Sequence, residues 1–498
     1  MREKAVIAID VGTQSLRSAV VTQAGEILGI AQILHDTDEP HPGWAQQRPS
    51  QWWEETCRAT VQVLRDTGVA SESIAAVACC GQMHGPVGID PAGNITTEWV
   101  QLWCDKRCAP QVESMRAAYD ESALMAQAGN PLNPAWTGIK IRWEKENNPE
   151  SYARTRYYLV PKDFINYRLT GVAAADPSEA SCSYIYSCTT ESYSQELANA
   201  VGVDIRKFAP VHPSHGVIGK LTEAAAGLTG IPAGTPVVAG GGDFPVSMLG
   251  FGIVGQGVLA DVTGTSSLLA AHSAKALIDP GMQNCRHVVD GWVPFTILDC
   301  GGICMKWCKD LMSSVAREMS YDELIELARQ VPLGSDGLVF YPYMRGERRR
   351  ANINAKGAFV GVSLEHRSRH FIRAIMEGVA FAMGKDAATF HKLGLNVNRV
   401  FSVGGGTRNQ LWNEIKAGVL GRPLASSPEP EAGIKGCGLL GAAGVGLIDD
   451  PAAEAIARRA TSQSVEATPR DIAAYAALQP EFDRIYEHML GFWQDNNA

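Results

Sequence analysis

The sequence lacks the features that mark several large classes of protein. Its 498 residues carry 44 Lys and Arg against 53 Asp and Glu, a formal net charge of −9, with no long run of either sign. Proteins that bind nucleic acid normally show a basic stripe, so no nucleic-acid partner is predicted. No apolar run is long enough to span a membrane, and Ala5 to Ile9 is too short for the core of a signal peptide. We therefore expect a cytoplasmic protein without a membrane partner.

The cysteines lack the spacing of disulfide frameworks or metal sites. Twelve are present, but no C-x-x-C occurs, so reduced thiols are expected. Cys300, Cys304 and Cys308 follow one another at helical spacing. Metal clusters need closer spacing, so this set predicts an apolar stripe on a helix.

One common nucleotide-binding signature is also missing, and a second occurs only outside its usual context. No G-x-x-x-x-G-K-[ST] occurs, which argues against a Walker-type NTPase. Sequences of the form G-x-G-x-x-G begin at Gly250 and Gly436, but the first leads into a strand-like segment and the second has no predicted strand before it. An NAD-dependent oxidoreductase is therefore a weak alternative, which a nicotinamide absorbance change without ATP would support.

The hydrophobic content of 45% and the length predict two to four compact units. Near the N-terminus, three predicted strands form a meander: Lys4 to Asp10, Arg17 to Gln23, and Ile27 to Ile33. A helix should follow, capped by Ser50 and ended by Gly68. The apolar run from Ile74 to Cys80 predicts a strand that is covered on both faces.

The second half repeats part of the first. Asp10-Val-Gly-Thr-Gln-Ser-Leu16 is echoed by Asp261-Val-Thr-Gly-Thr-Ser-Ser-Leu268, which indicates two related halves. A strand from Val397 to Val403, a Gly404-Gly405-Gly406 turn and a helix from Asn409 to Leu420 follow. We place the boundary near Gly240-Gly241-Gly242, the most flexible tripeptide between the two echoes.

The two echoed turns could together grip a polyphosphate. Gly and Thr in a turn can direct N–H groups and a hydroxyl at an anion, while a flanking Asp can hold a metal ion through water. The first turn offers Asp10, Gly12, Thr13, Gln14, Ser15 and the cation Arg17; the second offers Thr263, Gly264, Thr265 and Ser266. Either turn alone could equally be an ordinary β-hairpin, and only the pair favours phosphate binding.

Other polar residues follow predicted strands or glycines. Gln82, Met83 and His84 come directly after the Ile74–Cys80 strand, where ligands of α/β sheets usually bind. Asp243, after three glycines, could be a general base or a solvated loop carboxylate. A further polar cluster contains Trp103, Asp105 and Arg107.

Taken together, these segments closely resemble the FGGY family of carbohydrate kinases over nearly the whole chain, and within it the xylulose kinases. The order and spacing of the motifs carry the resemblance, which includes Asp10-x-Gly12-Thr13-x-Ser15, Gly81-Gln-Met-His-Gly85, Trp103-x-Asp105-x-Arg107, Gly240-Gly-Gly-Asp243, Thr263-Gly-Thr265 and Gly404-Gly-Gly-x-x-Asn409. It implies two actin-like (ribonuclease H-like) α/β ATPase domains with an interdomain cleft. The domains would be 1–245, which binds sugar and supplies the first phosphate loop, and 246–498, which binds ATP.

The resemblance also implies residue roles. Asp243 matches the catalytic base, and Asp10 and Asp243 would hold Mg²⁺ through water. Sugar contacts would come from Gln82, Met83, His84, Trp103, Asp105, Asp243 and Phe244. ATP and its phosphates would contact Asp10, Gly12, Thr13, Gln14, Arg17, Thr263, Gly264, Thr265, Gly404, Gly405, Gly406 and Asn409. The partners would thus be a small sugar and ATP, and the resemblance leaves a homodimer open.

One departure bears on the sugar. Xylulose kinases usually follow the catalytic Asp with Asn, whereas Phe244 and Pro245 stand here. Loss of a hydrogen-bond partner discriminates strongly between substrates. D-xylulose is the leading expectation, with ribulose, erythrulose, a deoxy-ketose or erythritol as alternatives. An actin-like ATPase without a sugar substrate is the alternative from another class, although it has no need of Gly81–Gly85 or Asp243.

Overall fold

Helices and strands alternate along the chain, as expected of an α/β protein. The computed structural model describes residues 4–315, 317–347, 354–427, 429–459 and 463–495. The strands are β1 (Ala5–Val11), β2 (Ser15–Thr22), β3 (Ile27–Leu34), β4 (Gln46–Gln47), β5 (Ile74–Gly81), β6 (Val87–Ile89), β7 (Val100–Gln101), β8 (Tyr157–Leu159), β9 (Tyr186–Ser187), β10 (Ser192–Tyr193), β11 (Val217–Lys220), β12 (Pro236–Val238), β13 (Gly241–Gly242), β14 (Val258–Thr263), β15 (Ser267–Ala271), β16 (Gln283–Arg286), β17 (Trp292–Leu298), β18 (Val339–Tyr341), β19 (Ala358–Val360), β20 (Arg399–Val403), β21 (Leu424–Ser426) and β22 (Gln463–Val465). The α-helices are α1 (Pro49–Thr67), α2 (Ala109–Ala118), α3 (Glu121–Ala128), α4 (Thr137–Asn147), α5 (Pro149–Arg154), α6 (Pro161–Thr170), α7 (Pro177–Ala180), α8 (Gln195–Val201), α9 (Glu223–Thr229), α10 (Asp243–Gly250), α11 (Gly302–Val315), α12 (Tyr321–Arg329), α13 (Ser368–Lys392), α14 (Gln410–Leu420), α15 (Ala432–Gly444), α16 (Pro451–Ala457) and α17 (Pro469–Asp495).

Two seven-stranded sheets share one order of strand directions. The first runs β11-β12-β5-β1-β2-β3, with β13 also paired to β5; the second runs β22-β21-β20-β14-β15-β17-β16. In each sheet, one central strand has an antiparallel neighbour on one side and a parallel neighbour on the other. In the first sheet β1 lies between antiparallel β2 and parallel β5. In the second sheet β14 lies between antiparallel β15 and parallel β20. The predicted repetition of the two halves is therefore confirmed, as is the meander β1-β2-β3.

The composition of β1 explains its central place in the first sheet. Successive side chains of a strand point to opposite faces. Ile7 and Ile9 lie in the buried cluster that contains Trp52 of α1. Val6 and Ala8 lie in the cluster that contains Leu440 of α15. Both faces are covered, which is why the strand has an almost continuous apolar sequence.

Helix α1 begins differently from the prediction. Ser50 lies inside the helix, and Arg48 occupies the N-cap without a side-chain cap bond, so the predicted Ser50 cap is wrong. Pro49 starts the helix instead, because its fixed φ and missing N–H suit the first turn. The predicted end at Gly68 is confirmed: Gly68 has φ 64° and donates its N–H to Leu64 O.

The glycines at the predicted domain boundary are held firmly, so their predicted flexibility is wrong. Gly241 and Gly242 form β13, which pairs with Cys80 and Gly81 of β5. Gly240 has φ 71°, and a Cβ there would lie 1.8 Å from Cys79 O. Close approach of two backbones is the reason for these glycines. The boundary between 1–245 and 246–498 falls inside α10 and stays a prediction.

Helix α15 follows β21 of the second sheet in sequence but packs on the first sheet. A Cβ at Gly438 would lie 2.6 Å from Val21, and one at Gly441 would lie 2.5 Å from Val6. The G-x-G-x-x-G that begins at Gly436 is therefore a contact surface within a helix, not a dinucleotide loop. β21 precedes it, so the expectation that no strand comes before it is wrong.

The cysteine prediction is confirmed. All twelve cysteines are described, and all are free thiols. Cys304 and Cys308 lie on α11, Cys300 lies just before it, and the three belong to one apolar core cluster. The described residues include no helix long and apolar enough to cross a membrane.

Candidate active site between the two sheets

The turn between β1 and β2 presents two N–H groups without a hydrogen-bond acceptor among the described residues, those of Thr13 and Gln14. The carbonyls of the same peptides are held from the other side. His35 Nε2 lies 3.0 Å from Gly12 O, and Gln47 Nε2 donates to Thr13 O at 2.7 Å. Because a trans peptide directs its N–H opposite to its C=O, both N–H groups point away from these supports. Such a pair of N–H groups is suited to an anion.

The turn between β14 and β15 has the same arrangement. Gly302 N donates to Gly264 O at 3.0 Å, and Ile303 N donates to Thr265 O at 3.1 Å. The N–H groups of Thr265 and Ser266, like those of Thr13 and Gln14, have no acceptor among the described residues. The structure thus brings two anion-binding turns to equivalent places in the two sheets.

The predicted glycine turn lies beside the second of these turns. A Cβ at Gly404 would lie 2.8 Å from Thr263 O, and one at Gly406 would lie 2.8 Å from Thr263 Cγ2. Gly405 begins the single turn of 3₁₀-helix that follows. Asn409 caps α14 by accepting a hydrogen bond from Trp412 N at 3.0 Å. The roles of Gly404, Gly405, Gly406 and Asn409 in ATP binding stay predictions.

Two carboxylates interact near the first turn. Asp10 lies near the end of β1, and Asp243 is the first residue of α10. Burial, together with the charge of Asp10, raises the pKa of Asp243 to about 7. Phe244 N donates to Asp243 Oδ1 at 2.7 Å and fixes its orientation. A carboxylate with a pKa near neutrality is suited to act as a general base.

Asp10 has the properties expected of a metal ligand. Its Oδ1 is buried and has no hydrogen-bond partner. Burial raises the pKa of Asp10, against the opposing charge of Arg17. Among the described residues no group of three or more His, Cys, Asp or Glu is placed to hold a metal. The two carboxylates therefore fit a Mg²⁺ whose other ligands come from phosphate and water.

Arg17 has a protein partner. Its Nη1 lies 2.8 Å from Glu431 Oε2, at the start of α15. This ion pair joins the two halves of the chain. A contact between Arg17 and phosphate stays a prediction.

The segment after β5 contacts the first turn as well as the expected sugar region. Gln82 Nε2 donates to Gln47 Oε1 at 2.8 Å, and Gln82 Oε1 accepts from Thr13 Oγ1 at 3.3 Å. Gln82 is therefore a support of the turn. Met83 packs on Gly242, where a Cβ would lie 2.8 Å from its sulfur.

His84 is buried, neutral and strained. Burial, together with the charge of Lys140, lowers the pKa of His84 to about 3. Its φ is 74°, which is rare for a residue other than glycine. Nδ1 is buried without a partner, and the ring meets Trp136 edge to face at 5.3 Å. A neutral ring nitrogen in this state is free to bond to a hydroxyl.

Trp103 and Asp105 have different surroundings. Trp103 is 43% exposed, and its Nε1 donates to Thr13 Oγ1 at 3.1 Å. Asp105 is buried, and its carboxylate accepts from Ala45 N at 2.7 Å and pairs with Arg107 at 2.7 Å. Arg107 in turn lies over the ring of Trp44 at 3.7 Å. These bonds give Asp105 a structural part, and its predicted contact with sugar stays a prediction.

Phe244 bridges the two halves. Its ring meets Phe295 of β17 with 5.0 Å between centroids. Val262, just before the second turn, packs in the same buried cluster. The residue after Asp243 thus brings an apolar side chain, not an amide, to the space between the sheets.

Several buried polar residues at the site escaped the sequence analysis. Ser178 Oγ accepts from Gly242 N at 3.0 Å and donates to Asp176 at 2.7 Å, which anchors the residue before Asp243. Glu179 is buried with Oε1 unpartnered, and burial raises its pKa well above the usual range. His35 and Glu55 lie under the first turn. Pairing over long sequence separations makes these residues hard to find, although Asp-x-Ser at 176–178 is a helix-start signal.

Comparison with known proteins agrees with this geometry. The family model described as "FGGY family of carbohydrate kinases, N-terminal domain" matches residues 5–250, and the corresponding C-terminal domain matches 259–447. Xylulose kinase of Bacillus subtilis is 27% identical over 493 residues, 97% of each chain. Autoinducer-2 kinase of Klebsiella pneumoniae is 27% identical over 98% of this chain and 93% of that protein.

Solved structures give the same result. The crystal structure of xylulose kinase from Rhodospirillum rubrum superposes with a TM-score of 0.93 at 29% identity, over 99% of this chain and 100% of that one. The two matched ranges contain the first sheet, the second sheet apart from Val258 and β22, one anion-binding turn each, and the Asp10–Asp243 pair. The chain therefore belongs to the FGGY family of carbohydrate kinases and is an ATP-dependent sugar kinase.

Proposed function

We propose that this kinase transfers the γ-phosphoryl group of ATP to a hydroxyl of a small ketose, with D-xylulose, giving xylulose 5-phosphate, as the leading substrate. The observation that carries the proposal is Asp243, a carboxylate with a pKa of about 7 at the start of α10, next to Asp10 and the first anion-binding turn. A base of this strength is partly ionised at neutral pH and can accept the proton of an attacking hydroxyl.

Different residues carry out different steps of phosphoryl transfer. Asp243 takes the proton from the sugar hydroxyl as the oxygen of that hydroxyl attacks the γ-phosphorus of ATP. The N–H groups of Thr13, Gln14, Thr265 and Ser266 bind phosphate oxygens and hold the reacting groups in line. Mg²⁺, when bound with ATP, would neutralise phosphate charge, and Asp10 and Asp243 are the residues that would hold it. Gly404 to Asn409 would contact the adenosine.

The identity of the sugar depends on the surface beside Asp243. His84 offers a neutral ring nitrogen, whereas Phe244 offers an apolar ring. A substrate hydroxyl that faced Phe244 would lose its hydrogen bonds on binding. This favours ketoses that lack a hydroxyl there, so a deoxy-ketose or erythrulose competes with D-xylulose, ribulose and erythritol. The name of the Klebsiella relative, autoinducer-2 kinase, also shows that chains of this similarity differ in substrate.

The deciding experiment is ADP release by the purified protein with Mg·ATP. The panel contains D- and L-ketopentoses, tetruloses, deoxy-ketoses and polyols, with Asp243→Asn as the inactive control and Asp66→Asn, on an exposed part of α1, as the matched control. We expect release that depends on one compound class and is lost only in Asp243→Asn. Slow ATP hydrolysis that no compound stimulates would contradict the proposal and favour an ATPase without a sugar substrate. Light scattering of the same sample tests whether the chain forms a homodimer, which the resemblance leaves open.

A further inference from the structure

A buried histidine–glutamate pair lies beneath the first anion-binding turn and has no part in the steps above. His35 follows β3, and Glu55 lies on α1. His35 Nδ1 lies 2.7 Å from Glu55 Oε2, and the two side chains are 1% and 2% exposed. The other ring nitrogen, Nε2, lies 3.0 Å from Gly12 O.

Both ring nitrogens of His35 face atoms that can only accept a hydrogen bond. A carboxylate oxygen lies at one nitrogen and a peptide carbonyl at the other. A neutral imidazole carries one N–H and could satisfy only one of them, whereas an imidazolium satisfies both. Burial alone would lower the pKa of His35, but the hydrogen bond and charge of Glu55 outweigh it and raise that pKa.

The surroundings of the pair favour this charged form. Among the described residues, Glu55 is the charged group that faces the ring, and its second oxygen accepts from Gln51 Nε2 at 2.9 Å. The first turn presents only uncharged backbone groups to the ring, those of Gly12 and Thr13. A buried ion pair persists when its remaining hydrogen-bonding groups are satisfied, as they are here.

The second turn shows what His35 does in the first. There, the main-chain N–H of Gly302 holds Gly264 O, the carbonyl equivalent to Gly12 O. A main-chain donor cannot lose its proton. In the first turn a side chain supplies the donor, so the orientation of the Gly12–Thr13 peptide depends on the His35 N–H.

We propose that His35 is a positioning residue which, doubly protonated and held by Glu55, fixes the Gly12–Thr13 peptide so that Thr13 N–H faces a phosphate of ATP. This inference rests on the proposed role of the turn in ATP binding.

The protonation state is measured directly on the wild-type chain. Long-range ¹H–¹⁵N NMR of ¹⁵N-histidine-labelled protein, assigned with His35→Gln, separates imidazolium from neutral imidazole. We expect both nitrogens of His35 to be protonated at pH 7.5, and the exposed His391 serves as the reference signal in the same spectrum. A neutral His35 at that pH would overturn the proposal, and this result does not depend on how well any variant folds.

The effect on nucleotide is measured by calorimetry with Mg·ADP in the absence of sugar. Loss of one oriented N–H that contacts a charged group should raise the ADP Kd by about tenfold or more in both His35→Gln and Glu55→Gln. The sugar KM should stay within about twofold, and His391→Gln should match the wild type. Unchanged ADP affinity in folded His35→Gln and Glu55→Gln, beside a wild type that binds ADP and phosphorylates sugar, overturns this inference alone. A wild type that binds no ADP overturns the proposed function as well.

Discussion

The two anion-binding turns each present two N–H groups without an acceptor among the described residues, and they differ in the carboxylate beside them. Asp10 pairs in register with Cys80 of the parallel strand β5, and Asp261 pairs equivalently with Ser402 of β20. Asp10 leaves a buried oxygen without a partner. Asp261 forms an ion pair: Lys416 Nζ lies 2.6 Å from its Oδ2, and both groups are fully buried.

The repeated motif thus holds a carboxylate oxygen without a partner in the first half and a structural ion pair in the second half. An unpaired buried charge is costly to the fold and is retained where a ligand uses it. A buried ion pair with Thr263 and Ser402 as further hydrogen-bond partners contributes to a fixed geometry. Under the proposed mechanism the two similar turns therefore differ in role: the first would carry the reactive carboxylates, and the second would be a rigid phosphate support.

The largest expected effect is at Asp243, which stands beside the first turn only. Asp243→Ala removes the base, and general-base help accounts for about 10²–10⁴-fold in rate. We expect turnover to fall by that factor, while ATP affinity stays nearly unchanged. Steady-state kinetics and ADP calorimetry measure the two quantities, and a loss of turnover under about tenfold would contradict the assignment.

The two equivalent aspartates should respond in opposite ways to the same substitution. Asp10→Asn should cut turnover by about 10²–10³-fold, the range for one lost electrostatic contact in a transition state. It should leave the unfolding free energy unchanged or raise it, because a buried charge is removed.

Asp261→Asn should instead destabilise the fold by about 3–5 kcal/mol, since Lys416 is left buried and unpaired. Urea unfolding and kinetics of the two variants test the contrast. Equal destabilisation by both would show that the two carboxylates are equivalent after all. The double variant Asp261→Leu with Lys416→Met should recover much of the lost stability.

The pH dependence should report the interaction of the two acids at the first turn. In the proposed mechanism the carboxylate form of Asp243 is the active one, and its pKa is about 7. The kcat/KM should therefore rise about tenfold per pH unit below that pKa and become constant above it. Since the charge of Asp10 contributes to this raised pKa, the residual activity of Asp10→Asn should level off at lower pH. A profile that is flat across neutrality in the wild type would contradict this prediction.

A smaller effect should follow from disturbing the main-chain support of the second turn. A Cβ at Gly302 would lie 2.3 Å from Gly264 O. Gly302→Ala should therefore displace that carbonyl and raise the ADP Kd by about tenfold, the effect of one hydrogen bond to a charged group. Gly227→Ala, where the added Cβ meets nothing within 4 Å, is the control and should bind ADP normally. If both variants bound ADP alike, the second turn would not need its fixed carbonyl.

Local sequence patterns predicted much of the first sheet and both turns. The apolar runs gave β1 and β5 because central strands need buried side chains on both faces. The helix from Asn409 to Leu420 and the Gly68 stop were also predicted from local signals. The resemblance to a family proposed the site residues. The structure brings Asp10 and Asp243 together and places the two turns at equivalent positions of the two sheets, while the roles of these residues stay predictions.

The misses have one physical cause, contacts between residues far apart in the chain. Lys416 and Asp261 are 155 residues apart, and nothing near either one indicates the pairing. Three glycines in a row suggested flexibility, but their real constraint is the neighbouring strand β5, which no local pattern reveals. His35 and Glu55 were missed for the same reason, since each has ordinary neighbours in sequence.

The return of α15 to the first sheet has a consequence for how the chain is made. Val6, Val21 and Ala78 lie on a face of that sheet whose buried cluster includes Leu440 of α15, which ends at Gly444, together with side chains of α10 and α16. During synthesis this face stays incompletely covered until α15 has emerged, after most strands of the second sheet. All strands of the first sheet are thus synthesised long before its apolar face is fully buried. A fragment cut after residue 245 would keep the sugar-side residues but expose this apolar face, and would aggregate where the full chain folds.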